Sequence, residues 1–407
     1  MTRTGGLPRH AAFAAALAAA GLPIYIHAPK FYVDSYGVTL AQLTIPLFLL
    51  RLVDFVQDPL LGRLAEATRN HRRSMVWGAG AIMASAMYAL FAMDPLLPPV
   101  WWFALSLAGL FSAFSFLTIC FYAQGVAKAA AMGDGHVRLA AWRETGALIG
   151  VCVAAALPAL LLGTGAPFTF YAVIFVALTA LALWTMSPEW TGQGDAPPSA
   201  GLRKILDDAG ARRLLLIALA NATPVAVTST LFLFFVGDRL GAPDAAGPLL
   251  LLFFLCAAGA APLWGKAAET FGTKRALLAA MVLAITVFAW TLTLGAGDTW
   301  AFAVICAASG AAVGADLTLL PALFARRMER IAPSAADGFS LWSFVNKATL
   351  AVAAIALFPV LTWAGFVSGE ANSEQALAWL SWLYAGVPLG LKAIALLLLA
   401  RSGSDIE

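Results

Sequence analysis

Asp54 and Asp58 stand four residues apart in the apolar run LLRLVDFVQDPLLG, and Arg51 precedes the first of them by three. On a helix that spacing puts both carboxylates on one face, one turn apart, with Arg51 within reach of Asp54. A charge at the centre of a membrane-length helix costs about 2.5–3.5 kcal/mol, so it persists where it pairs, meets water or does work. Two acids a turn apart make either an oxygen site for a hard cation or a proton-binding pair. Ser115 and Thr118, in a later apolar run, are candidates to complete the shell with a hydroxyl. The alternative is structural: an Arg51–Asp54 helix pair, with Asp58 capping a neighbouring helix. A repeat weighs against it. Pro59, Leu60, Gly62 and Glu66 recur 203 positions on as Pro262, Leu263, Gly265 and Glu269, while Asp54 and Asp58 meet Ala257 and Ala261. The repeated scaffold tolerates alanine at both places.

Other polar groups interrupt apolar runs. Arg143 adjoins Glu144, and Lys347 lies 204 positions after Arg143, at the corresponding place in the second half. A guanidinium offers a planar fork for a carboxylate, a phosphate or vicinal hydroxyls, whereas lysine is a compact charge able to hold Asp54 or Asp58 when no cation is bound. Asp316, Asn221 and Gln124 are further candidates to hydrogen-bond a substrate, and Trp342 and Asn346, one turn apart beside Lys347, add a stacking ring and an amide. Asn221 is equally placed to satisfy backbone freed by Pro224. Lys392 is expected to snorkel or to pair internally. Gly62, Glu66, Arg72 and Arg73 and their repeats Gly265, Glu269, Lys274 and Arg275 read as a conformational latch rather than a substrate site.

The elements that position these groups follow from composition. With 61% hydrophobic and 12% charged residues the chain is an all-α membrane protein, since about 20 apolar residues cross a bilayer as one helix. Twelve apolar segments centre on residues 11–29, 38–60, 75–93, 99–125, 138–162, 167–187, 212–236, 245–265, 276–295, 299–324, 340–365 and 375–400. The Pro-, Gly- and Asp-containing stretch after Ser187 marks a linker. The expected domains are a six-helix bundle over 1–187, a linker over 188–210 and a second bundle over 211–407. Of the 25 Lys and Arg, four fall inside segments and two in loops on one side, which leaves 19 at the other side. That side is the cytoplasm by the positive-inside rule, with both termini there and the protein in the cytoplasmic (inner) membrane.

Composition also excludes. The net charge of +3 follows from the loop asymmetry and calls for no nucleic acid. The four histidines show no His-x-x-x-His spacing and no Ser/His/Asp set shares a face, so no enzyme and no cofactor is expected. Cys120, Cys152, Cys256 and Cys306 all lie in apolar segments as packing residues. The expected partners are a small-molecule substrate and the bilayer, with the chain acting as a monomer.

Six plus six helices with parallel repeats are the organisation of major facilitator transporters, and the doubled Gly-x-x-x-Glu with a following basic cluster resembles the loop signature of that superfamily. Within it, the stretch from Asp34 through Arg51, Asp54, Asp58-Pro59 and Gly62 resembles the second helix of the glycoside-pentoside-hexuronide cation symporters. The resemblance covers most of the first 160 residues and a shorter stretch around Lys347. It implies two pseudo-symmetric six-helix bundles, an aspartate pair that binds sodium or a proton, and a hydroxyl at Ser115 on the same ion. It further implies a substrate arginine at Arg143, Tyr122 in the place of a sugar-stacking tryptophan, and Lys347 near the cation. The chain departs from the pattern at Ala18 and Thr118, where the family's galactoside carriers have acids. The implied function is proton- or sodium-coupled symport of a small polar solute, such as a sugar or organic anion, by alternating access. Transport of an amphipathic lipid or lysolipid, or a non-transport assembly role, is the alternative.

Overall fold

The computed structural model describes residues 6–133, 135–190, 201–332, 335–367 and 372–403. Among them there are sixteen α-helices and no strand. They are α1 Leu7–Ala19, α2 Leu22–Tyr36, α3 Leu40–Val56, α4 Asp58–Ala67, α5 Arg72–Ala92, α6 Pro99–Ala131, α7 His136–Leu160 and α8 Pro167–Met186. After these come α9 Gly201–Asp207, α10 Ala209–Phe234, α11 Ala246–Phe271, α12 Thr273–Ala289, α13 Thr299–Ile331, α14 Ala336–Trp363, α15 Glu374–Ser381 and α16 Val387–Ala400. Every one of the twelve expected apolar segments is helical, and nine helices among the described residues are long and apolar enough to cross a bilayer.

Three segments expected as single helices are divided, the last of them, 375–400, by the π-turn Trp382–Gly386 between α15 and α16. The first changes direction at Ala20–Gly21, where Gly21 takes a non-helical backbone and Pro23 opens α2. The second breaks at Gln57: proline has no N–H to donate and its ring crowds the carbonyl four residues back, so Pro59 sits in the first turn of a new helix. Asp54 therefore closes α3 and Asp58 opens α4, rather than both lying on one unbroken helix. A carboxylate in a helix's first turn is favoured by the partial positive charge of the unpaired N–H groups.

The chain divides into two compact units, one of Met1–Ile205 with Met328–Phe344 and one of Leu206–Arg327 with Val345–Glu407. In the first, α1 packs along α7, α5 lies against α6 and α8, and α3 and α4 lie against α6. Small residues set the closest crossing. A side chain at Gly146 or Gly150 of α7 would meet the backbone carbonyls of Ala11 and Ala15 in α1, a small-xxx-small contact that brings two backbones together without a hydrophobic drive from water. Gly146→Val is expected to destabilise the fold by about 1–3 kcal/mol through overpacking. Melting in detergent checks this against Gly78→Ala, where the added methyl meets open space and no loss is expected.

In the second unit α10 packs on α16, which also meets α12. Two π-turns, Phe235–Arg239 and Trp382–Gly386, carry the stacked rings of Phe235 and Tyr384, whose centroids are 4.2 Å apart. The repeat's alanines pack here too. Ala257 and Ala261 are fully buried on α11, and Gly314 of α13 faces the Ala257 carbonyl closely enough to leave no room for a side chain. Ahead of α10, Asp208 caps the helix through Ala211 N–H and takes the Arg327 fork at 2.8 and 2.6 Å, which holds its carboxyl below the ordinary range.

Candidate functional site

Among the described residues, three polar clusters gather most of the cation and substrate candidates of the sequence. The first lies where α3 gives way to α4. Ser115 of α6 donates to Asp54 Oδ1 at 3.1 Å, and Gln57 Nε2 approaches the same oxygen at 3.5 Å while accepting from Ser112 at 2.8 Å. Asp54 is half-buried, and Asp58 is fully buried at the head of α4. Thr118, one turn past Ser115, keeps a buried hydroxyl with no hydrogen bond among the described residues. The side chain of Arg51, the expected partner of Asp54, lies outside the described residues. Lys347 is half-buried on α14, in the second unit.

The second cluster stands two turns along α6. Tyr122 donates to Glu144 Oε1 at 2.9 Å, Arg143 Nε donates to the same oxygen at 2.8 Å, and the guanidinium carbon lies 3.7 Å from the Tyr122 ring centre. Arg143 and Glu144 are buried, and Arg143 Nη2 has no hydrogen-bond partner among the described residues. Phe339 covers the tyrosine from 5.1 Å. One carboxylate thus balances the guanidinium and leaves one of its nitrogens unspent, while the cation–π contact fixes the plane of the fork. Ser115, Thr118 and Tyr122 follow at intervals of three and four, so a single face of α6 carries the hydroxyl on Asp54 and, about 10 Å further, the phenol on Glu144.

The third cluster is in the second unit. Lys392 of α16 donates to Asn221 Oδ1 of α10 at 2.6 Å and is paired with Asp316 of α13; all three are buried. Asp316 Oδ1 is buried without a hydrogen bond among the described residues. A pocket of about 70 Å³, walled by Pro224, Phe253, Phe288, Val313 and Pro388, opens on Lys392.

The remaining sequence candidates are dispersed. Gln124 bonds His10 and the Glu189 backbone, and Trp342 and Asn346 are half-buried on α14. Gly62 of α4 is buried against Ser340, Glu66 pairs with Arg69 at 3.5 Å, and buried Arg72 donates to Cys120 Sγ at 2.8 Å, while Arg73 is exposed. In the repeat, Gly265 is buried, Glu269 and Arg275 are exposed, and Lys274 binds the carbonyls of Ala400 and Ser402 at the end of α16. Sequence reasoning passed over Gln57, Ser112 and the role of Glu144. For Gln57 the signal was there, in a polar residue three after Asp54. Lys392, expected to snorkel or to pair internally, pairs.

Nine described helices of membrane length around buried charge make the chain a polytopic membrane protein. The chain belongs to the MFS/sugar transport protein family, whose model matches residues 10–403 and which includes the glycoside-pentoside-hexuronide symporters. It is an integral membrane secondary transporter rather than an enzyme. The fold is similar to that of a bacterial homologue of the iron transporter ferroportin in its outward-facing state, with TM-score 0.75 and 13% identity over 98% of this chain and 99% of that one. It is likewise similar to the E. coli fucose:proton symporter, with TM-score 0.74 and 12% identity over 99% and 100% of the two chains. No curated protein matches the chain.

Proposed function

We propose that this transporter couples the movement of a small polar organic solute, of the sugar or organic-anion class, to protons taken up at Asp58 and Asp54. The observation that carries the reading is the shared face of α6. It joins the hydroxyl on Asp54 to the Tyr122–Glu144–Arg143 group, so loading the acids alters the helix that presents the polar fork. Ser115 and Gln57 both direct donors at Asp54 Oδ1 and occupy an oxygen that a metal ion would need. Thr118 stands where the family's galactoside carriers have an acid, so the site offers a metal ion fewer anionic ligands, which favours the proton over sodium. Arg143 supplies the fork, Glu144 a carboxylate able to accept from hydroxyls, and Tyr122 the ring. Asn221, Asp316 and Gln124 are already engaged within the protein and hold secondary roles.

Counterflow in proteoliposomes with a library of sugars, uronates and small organic acids identifies the solute. Arg143→Lys then separates charge from shape. Because the fork is lost while the charge stays, solute affinity is expected to fall by at least tenfold, the worth of one charge-assisted hydrogen bond of about 1.5–3 kcal/mol, even with the acids fully loaded. Lys347→Arg is expected to alter chiefly the pH or sodium dependence. Wild-type affinity in Arg143→Lys would make Arg143 a packing residue. The orientation proposed from the loop charges, with both termini cytoplasmic, requires cysteines placed at Arg73 and in the 188–210 linker to resist impermeant reagents applied outside intact cells.

A further inference from the structure

His10, Gln124 and Glu189 form a buried polar chain in the first unit that serves neither acid cluster. His10 is 1% exposed and Gln124 4%. His10 Nδ1 lies 2.9 Å from the Gly6 carbonyl oxygen, Nε2 lies 3.0 Å from Gln124 Oε1, and Gln124 Nε2 donates to the Glu189 carbonyl at 3.2 Å. The chain therefore begins and ends on a backbone carbonyl, which only accepts. Between the two stand an imidazole and an amide. A neutral imidazole donates at one nitrogen and accepts at the other, and the amide likewise donates at one end and accepts at the other. Two such relays between two acceptors always leave one junction with lone pairs face to face. Changing the tautomer moves the fault to Gly6, and turning the amide moves it to Glu189. Only a second ring proton removes it.

We propose that His10 is a proton-binding site, distinct from Asp54 and Asp58, whose imidazolium ties the start of α1 to α6 and to the turn at Glu189. The proton adds to the vacant ring nitrogen, and no other bond changes. Burial opposes the added charge most strongly and sets the ring's proton affinity below that of an ordinary histidine, while the hydrogen bonds to Gly6 and Gln124 and the Glu189 charge favour it and Lys128, 3.0 Å from the Glu189 carboxylate, opposes it. Among the described residues those are the charges that act on the ring. Its other neighbour on α6 is the Phe121 ring at 5.7 Å, and α7 presents Leu139 and Gly146 to α1. The seat is built for this approach. Gly6 has φ +101°, which disfavours other residues, and a side chain there would run into the Glu189 carboxylate.

Nitrogen NMR of the full chain, labelled at histidine and held in detergent, reads the two ring nitrogens directly, with His10→Phe to assign the signal among the four histidines. Both nitrogens of His10 are expected to carry protons at mildly acidic pH and one to lose its proton as pH rises. Gln124→Leu removes the second acceptor and is expected to weaken proton affinity about tenfold, as for a hydrogen bond to a charged group. A wild-type ring with one bare nitrogen down to about pH 5, below the ordinary histidine range, overturns the proposal. So does an unchanged titration in Gln124→Leu. The wild-type spectrum decides the protonation even if that variant is unstable.

Discussion

Asp58→Asn is expected to abolish uphill accumulation of solute while leaving downhill exchange in place. Asp58 is fully buried at the head of α4, so its carboxyl either carries a proton or sits as a bare charge steadied by the helix start. Asparagine has the same shape and no charge to lose, and so mimics the loaded state permanently. In the wild type, coupling of about 1–3 kcal/mol makes solute affinity vary roughly 5–150-fold between loaded and empty acids. In the variant that ratio is expected to collapse to one, with affinity fixed near the loaded value. Asp54→Asn is expected to act in the same direction with a smaller effect, because Ser115 and Gln57 already hold Asp54 from two sides. Solute affinity measured across pH, with and without sodium, checks both variants. Retained pH dependence in each of them would remove the acids from coupling.

Lys392→Met is expected to cost about 3–5 kcal/mol of stability, because it leaves Asp316 as an uncompensated buried carboxylate. The pair is buried inside the second unit with Asn221, and no other charge among the described residues pairs with Asp316. Adding Asp316→Leu to that variant removes the charge left behind and is expected to return most of the loss, since a buried ion pair and an apolar pair of similar volume are often close in free energy. Part of the deficit is expected to remain, as Asn221 Oδ1 loses its donor at about 1–3 kcal/mol. Thermal unfolding of the single and double variants in detergent measures the coupling. A single-variant loss below about 1 kcal/mol would place the pair in contact with water. If the double variant also transports with unchanged pH dependence, Asp316 belongs to the scaffold and not to the solute.

The helical architecture was legible because the bilayer imposes a length of about 20 apolar residues and because the chain states its plan twice, once with Asp54 and Asp58 and once with Ala257 and Ala261. Ser115 was offered beside Thr118 as a hydroxyl for the Asp54 site, and the family resemblance singled it out; Ser112 on the same helix was passed over. The break at Gln57 was written in Pro59, yet four-residue spacing alone reads as one continuous face. Lys392 was visible as a lone charge in the last apolar run, but its partners lie 76 and 171 positions away and no local pattern specifies which acid or amide a lysine meets. Glu144 was hidden differently: neighbours in sequence point about 100° apart on a helix, so an adjacent acid is not an expected partner for an arginine until the side chains are placed. The His10 chain rests on two backbone carbonyls, groups that sequence cannot aim.

Infrared difference spectroscopy of the purified chain between acidic and alkaline pH reads proton uptake at Asp58 and Asp54 without a solute, since it observes the carboxyl proton itself. Proton uptake at the two acids is expected to give a carboxylic-acid C=O band that appears on acidification, is lost in Asp58→Asn and weakened or shifted in Asp54→Asn, and is indifferent to added sodium at constant pH. A band set that persists unchanged in both variants would contradict it, and a band that sodium removes would transfer the coupling from the proton to the metal ion.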